Sequence, residues 1–462
     1  MRMKTTVHII QWLVLVISLN TVVSPVMAQE AEPPEPRLTL ISNVNIFDGK
    51  NEKLHENMHV LVKDNLIETI SDEPLAVIQT DNVTIVDGGG RTLMPGMIEG
   101  HGHVMFASDL PQFLNQDEFE QGVHAARRAN DYLMSGFTTI RDAGSNSFGL
   151  KRALDADIIP GPRIYPSGAS IGQTSGHGDF RSNVDGHPYF DGKDSGGHVN
   201  QWGHTLIADG VDEVRRAVRE QLFRGASQIK IHTGGGVTSF TDPLQAAQYT
   251  PEEIKAAVDE ATRYGTYVMT HSQMNNSVVA SLDAGVKSIE HGLVLEESTM
   301  KRMAELGVFY SPQLFLPLQP TAGNPMFQDP IQQAKLQVVA EGTRNAIALA
   351  RKYKVKILWG TDVFFGSAPF NAFTQEFAYR DEFFTPVEQL QQITGNNGKV
   401  LALSGLKNPY PGAELGVIKE GAFADIIIVN GDPTKDIRLL MDAGKNIDLI
   451  MKNGKIYKNT LH

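Results

Sequence analysis

Between about residues 93 and 408 the sequence keeps changing period, from short apolar runs of strand character to longer runs with apolar residues three and four apart. The strand-like runs are the one ending at His101 to His103, "FTTIRDAG", "RIYPSG", "QIKIHTGG", "YVMTHS", "SIEHG", "VFYSPQL" and "KILWGTD". Helical runs such as "VDEVRRAVREQLFRG" and "PEEIKAAVDEATRYG" separate nearly all of them. Thr250 before Pro251, with Glu253 three residues after it, is the signature of a capping box, and Thr385-Pro386-Val387-Glu388 repeats it. Eight such units in roughly 300 residues predict an α/β fold of the (β/α)8 TIM-barrel type, whose chemistry lies at the C-terminal ends of the strands.

The ends of the chain read differently. Residues 38–92 alternate in short strands with tight turns, and residues 409–462 return to that style in "ADIIIVNGDP" and "IDLIMKNGKIYK", where Asn453-Gly454 signals a hairpin. A small β-sandwich built from both ends, 38–92 and 409–462, is therefore expected around a barrel of 93–408. Ahead of them, Arg2 and Lys4 precede the apolar run "IIQWLVLVISL" and then "SPVMAQE", with small residues at Val26 and Ala28. That order predicts a signal peptide over 1–28, cleaved after Ala28, and a solvated linker over 29–37. The protein is expected to be exported, periplasmic or secreted, with no membrane anchor after cleavage; a retained anchor is the alternative, although the run is short for a span.

A chain of 462 residues with 41 basic and 53 acidic side chains carries a formal charge of −12, which gives no electrostatic footprint for nucleic acid. It has no cysteine. Disulfides are excluded, and any metal ion must be held by histidine, carboxylate or a modified side chain.

The strand ends supply such groups in order. His101 and His103 lie on strand one, Lys230 on strand four, His271 on strand five, His291 on strand six and Asp362 on strand eight. Alternate residues of a strand share a side, so His101 and His103 can converge on one ion. Singly, His271 and His291 fit core histidines bonded to backbone, and Asp362 fits a turn cap. Lys230 is harder to dismiss, because lysine is rarely buried unpaired and this one sits inside "QIKIH". Six groups in this order favour a metal site.

Together with "MPGMIEGHGH", "RDAG", "SGASIGQTSGHGD", "IKIHTGGGVTS", "IEHG", "GTD" and "GVIKEGAFADIIIVNGDP", these positions give a chain that resembles the amidohydrolase superfamily over almost its whole length. The resemblance is to the imidazolonepropionase-related branch, which contains metal-dependent dipeptidases, carboxypeptidases and ochratoxin-hydrolysing enzymes. It implies two divalent ions, usually zinc, with Lys230 carbamylated by carbon dioxide and bridging them. His101, His103 and Asp362 would hold one ion, His271 and His291 the other. It also implies amide hydrolysis, with Asp362 moving the proton.

Substrate contacts are expected from the stretch Ala169 to Asp209, too long to be an idle connection. Within its "GHGD", His177 is either a carbonyl polariser and substrate ligand or a residue that shapes the loop. His232 shares a side with Lys230, and either binds a substrate carboxylate or orients a metal-bound group. Phe364, Phe365 and Phe370 line an apolar pocket or pack the lid. Many relatives carry a second histidine on strand five where this chain has Gln273, and an apolar residue where it has His232. The expected substrate is a small molecule, a dipeptide or an N-acyl amino acid, including ochratoxin-type amides. A lactonase, organophosphate esterase or cyclic-amide hydrolase is the alternative, and a periplasmic metal-site binding protein the non-enzymatic one. Association into a homo-oligomer stays open.

Overall fold

Eight short parallel strands, in chain order, carry the middle of the protein: Met97–Gly102, Phe137–Asp142, Arg163–Tyr165, Ile229–His232, Val268–Met274, Ser288–Val294, Phe309–Ser311 and Lys356–Ile357, called barrel strands one to eight. The computed structural model describes residues 35–192, 195–319, 329–363 and 372–461. The expected signal peptide therefore lies outside the described residues, as do Phe364, Phe365 and Phe370. Strands one to three pair in parallel, and so do strands four to eight.

Two seams close the ring. At the first, Gly100 N donates to Trp359 O at 3.1 Å and Asp362 N donates to His101 O at 2.9 Å, joining strand one to the chain beyond strand eight. At the second, Ser227 N donates to Pro166 O at 2.7 Å, and the Gln228 amide reaches Asp142 O and Tyr165 O at 3.1 and 2.8 Å. Strand three is broken here. Its continuation, Ser170–Gly172, pairs with strand four on one side and with an added strand, Thr205–Ile207, on the other. The long connection foreseen from Ala169 to Asp209 thus holds two strands and the short helices Pro188–Asp191 and Gly197–Gln201.

Outer helices cover the barrel, and their ends follow local chemistry. Helix Pro251–Arg263 opens with the Thr250–Glu253 capping box, and Pro386–Gln391 opens with the Thr385–Glu388 one. The first of them buries Ile254, Ala257 and Ala261 against strand residues such as Ile229 and Ile231. Among the described residues no helix is long and apolar enough to cross a membrane.

Both chain ends meet in one seven-stranded sheet, centred on Val83–Pro95, which pairs in parallel with Leu38–Ile46 and antiparallel with Ile426–Val429. The run "IIIV" is apolar throughout because both its faces are covered. Ile426 and Ile428 join the sheet's own core with Ile41, Val60 and Met451, whereas Ile427 and Val429 pack on the barrel with Tyr132 and Phe137. Truncating Ile427 to alanine would cost about 2–5 kcal/mol, because the cavity opens at that joint. Asn453 and Gly454 adopt φ of 54° and 71°, as the tight hairpin between Ile447–Lys452 and Lys455–Asn459 requires.

Candidate metal centre and active site

The strand ends bring the eight singled-out residues into one cleft with about 870 Å³ of empty volume, mouth included: His101, His103, His177, Lys230, His232, His271, His291 and Asp362. Asp362 is its hub. One carboxylate oxygen, Oδ1, lies 3.0 Å from His103 Nε2 and 3.4 Å from His101 Nε2, and the other, Oδ2, lies 3.9 Å from His291 Nδ1. His291 in turn sits 4.3 Å, ring to ring, from His271. Burial opposes ionisation of Asp362, but the His101 ring and hydrogen bonds from His101 and His103 hold its carboxyl well below the usual range.

Asp362 departs from the expected position in one respect: it lies five residues past the end of strand eight rather than on it. Its backbone is left-handed, φ 54°, and so is that of His291, φ 69°. Such conformations cost about 1–3 kcal/mol outside glycine and persist only where the surroundings over-determine them. Here the bond from Asp362 N to His101 O does so. Two candidate ligands carrying this strain mark the cleft as a place where position outweighs backbone comfort.

Behind these ligands lies a charged layer that the sequence reading did not single out. Glu290, fully buried on strand six, receives Arg141 Nη2 at 2.9 and 2.8 Å and lies 2.7 Å from His101 Nδ1. Burial works against its charge, yet Arg141 and His101 hold the carboxyl far below the ordinary range. A carboxylate only accepts, so His101 donates from Nδ1, which leaves Nε2 as the atom that meets Asp362 here and that would turn to an ion bound in the cleft. His103 does the same through Nδ1 to Gly144 O at 3.1 Å. Glu99 accepts from His101 N, Thr361 N and Thr361 Oγ1 at 2.8, 3.0 and 2.8 Å, which fixes the spacing of His101 and Asp362; burial pushes its carboxyl up to about 7. A charged residue inside an apolar strand was the available signal in all three, as it was for Lys230.

Lys230 is 2% exposed. Burial pushes its ammonium down to about 8, against the opposing pull of Glu290 and Asp362. A neutral amine is therefore within reach near neutral pH.

The opposite side of the cleft is built otherwise. His177 lies 4.1 Å from the His271 ring, nearly parallel to it, and 5.3 Å from His232. Its backbone N donates to Gln248 Oε1 at 3.0 Å, and its Nδ1 meets Ser239 Oγ at 2.8 Å. Gly236 packs on the ring so closely that a Cβ would stand 2.0 Å from His177 Cε1; no other residue fits. The loop carrying Gly236 and Ser239 is tied down by Lys335, whose buried Nζ donates to Gly236 O, Ser239 O and Asp242 O at 3.0, 2.8 and 2.6 Å. Gln273 also lines the cleft, its Oε1 without a partner.

Residues 92–457 match the Amidohydrolase family. The chain belongs to that family. This amidohydrolase is 31% identical to ochratoxinase of Aspergillus niger over 455 residues, 96% of this chain and 91% of that protein. Among solved structures it is similar to a prolidase complexed with N-methylphosphonate-L-proline, at 32% identity and a TM-score of 0.81 over 92% of this chain and 100% of that one. A Xaa-Pro dipeptidase with methionine bound in its active site follows at 26% identity and a TM-score of 0.77, over 91% and 100% of the two chains. The amidohydrolase is thus a (β/α)8 hydrolase acting on amide bonds of small molecules, in a metal-dependent family. Its described residues include two groups able to hold an ion, His101 with His103 and Asp362, and His177 with His232 and His271.

Proposed function

We propose that this amidohydrolase is an exported, two-metal peptidase of small substrates, cleaving dipeptides or N-acyl amino acids, with Xaa-Pro dipeptides and ochratoxin-type amides as the first candidates. The observation that carries the reading is the Asp362 carboxylate, set 3.0 to 3.9 Å from three histidine rings in one cleft with a buried lysine. His101, His103 and Asp362 would hold one ion, His271 and His291 the second, and Lys230, as its carbamate, would span both. Zinc suits this donor set of imidazoles and carboxylates. Bound there, the ions supply Lewis acidity at the scissile carbonyl and lower the pKa of the attacking water.

The rest is done by the chain. Asp362 takes the proton from that water and delivers it to the departing nitrogen, without which the amine is too poor a leaving group. Glu290 and Glu99 hold the geometry of His101 so that Asp362 need not reorganise. Burial pushes His177 down to about 4 and His232 well below its ordinary range, so both rings are neutral at pH 7, and His232, whose nitrogens have no partner, serves a substrate carboxylate as a hydrogen-bond donor. The apolar wall of Leu293, Leu336 and Val339 offers a place for a side chain. Export rests on the N-terminal pattern, and the mature protein should start near Gln29 on N-terminal sequencing.

The test is a turnover screen of the zinc-loaded mature protein against Xaa-Pro and other dipeptides, N-acyl amino acids, lactones and phosphotriesters. Hydrolysis of the carboxylate-bearing amides is the expected result. Turnover confined to lactones or phosphotriesters would overturn the proposal.

A further inference from the structure

His232 is 6% exposed, and neither of its ring nitrogens has a hydrogen-bond partner. Buried polar atoms are almost always paired, so an imidazole orphaned at both ends asks for a ligand. Its neighbours are two more histidines. His177, from the loop after Ser170–Gly172, and His271, from strand five, each bring a ligand atom to within 4.8 Å of one another and of His232. We infer that His177, His232 and His271 form a separate, inhibitory site for a late first-row divalent ion such as zinc, copper, nickel or cobalt, which competes for His271 with the productive arrangement.

The donor set selects the ion. Three imidazoles without a carboxylate offer nothing to magnesium or calcium but suit the late divalent ions. Ser239 Oγ donates to Gly236 O, so it accepts from His177 Nδ1, and His177 keeps its lone pair on Nε2. One nitrogen fixed by an outer partner and the other left open is the usual state of a metal-binding histidine. A tetrahedral ion with bonds of about 2.0–2.1 Å needs its nitrogens roughly 3.4 Å apart, so the rings would close in from a present spacing of up to 4.8 Å. The Lys335 clamp holds the loop, and with it the His177 ring, where that closure needs them.

Competition follows from His271. Its Nε2 faces Gly235 O at 3.4 Å, and since a carbonyl only accepts, the single lone pair lies on Nδ1. One lone pair serves one ion. With His177 and His232 it makes the inhibitory site, and with His291 it serves the productive one. This competition rests on the two-ion reading above; the three-histidine site does not.

The direct test uses copper alone. A His101→Ala/His291→Ala/Asp362→Ala variant, checked for folding by circular dichroism, should retain one Cu2+ per chain with an electron paramagnetic resonance spectrum of three-nitrogen ligation. Adding His232→Leu should abolish it. A folded variant that retains no copper, or retains it equally after His232→Leu, overturns the site. Should that variant not fold, the wild-type protein decides: activity should rise with zinc and then fall about tenfold when free zinc exceeds the site's Kd tenfold, a fall absent in His232→Leu. A plateau in the wild type overturns the proposal. If the two-ion reading alone is at fault, the copper result stands and wild-type zinc content falls short of two.

Discussion

On the side of barrel strands one, two, six and eight, the ring nitrogens of His101 and His103 are set by neighbours. His101 leans on Glu290, Glu290 on Arg141, and Glu99 ties His101 to the chain around Asp362. Across the cleft, among the described residues, no carboxylate bonds directly to the ring of His177, His232 or His271. His271 and His177 are held by a backbone carbonyl, a serine and a lysine-clamped loop, and His232 by packing alone. The first half is preorganised by buried charges that must remain paired. In the second, only neutral groups touch the rings, which leaves them freer to shift to fit a ligand. A hydrolase needs both, a rigid side for the ions and the proton and an adaptable side for the substrate.

Lys230 lies between the halves, and substitutions there and at Asp362 test the division most severely. Lys230→Ala and Asp362→Asn should each lower kcat by ~100- to 10,000-fold or more, measured with metal content in the same samples. A Lys230→Ala enzyme that keeps two ions and normal turnover would break the scheme. Next in size is Glu290→Gln. It frees the His101 tautomer and leaves Arg141 buried without its carboxylate, so activity or metal affinity should fall about 10- to 100-fold. Thermal unfolding should also register a loss of about 3–5 kcal/mol. An effect as small as that of a loop substitution would deny the charged layer its role.

Lys335→Ala should do less. It orphans three carbonyls, at about 1–3 kcal/mol of stability, and loosens the His177 loop, so kcat/KM should fall several-fold while ion binding at His101 and Asp362 is retained. Added n-propylammonium should restore part of the activity by refilling the clamp; no rescue would mean that the loop is held some other way. The smallest effect on turnover at pH 7 is expected at His204, the paired counterpart of His232. It receives Asn146 N at 3.1 Å and meets Gln121 Oε1 at 2.8 Å. Burial, with a lesser contribution from Arg224, pushes it down to about 3. The unfolded chain takes up this proton near pH 6.5 and the folded one only near pH 3, so stability is lost as pH falls through that window, by about 3 kcal/mol at pH 4. In His204→Gln the midpoint of unfolding should depend less steeply on pH between 6.5 and 4, and an unchanged slope would locate the acid sensitivity elsewhere.

Much of this was legible in the sequence because it is local. The change of period marks strands and helices, Thr250 and Thr385 announce their helices, Asn453-Gly454 its hairpin, and alternate positions put His101 with His103 and Lys230 with His232. Those rules act over a few residues and need no knowledge of distant ones. Closure of the barrel decided the rest. Arg141 and Glu290 are 149 residues apart, His177 and Ser239 62 apart, and Asp362 reaches its place only because the chain past strand eight bonds to strand one. Strand three divides because its two pieces must serve two different neighbours. Pairings of that range carry no period, so buried charges in apolar strands marked that partners existed, and tertiary packing alone chose which.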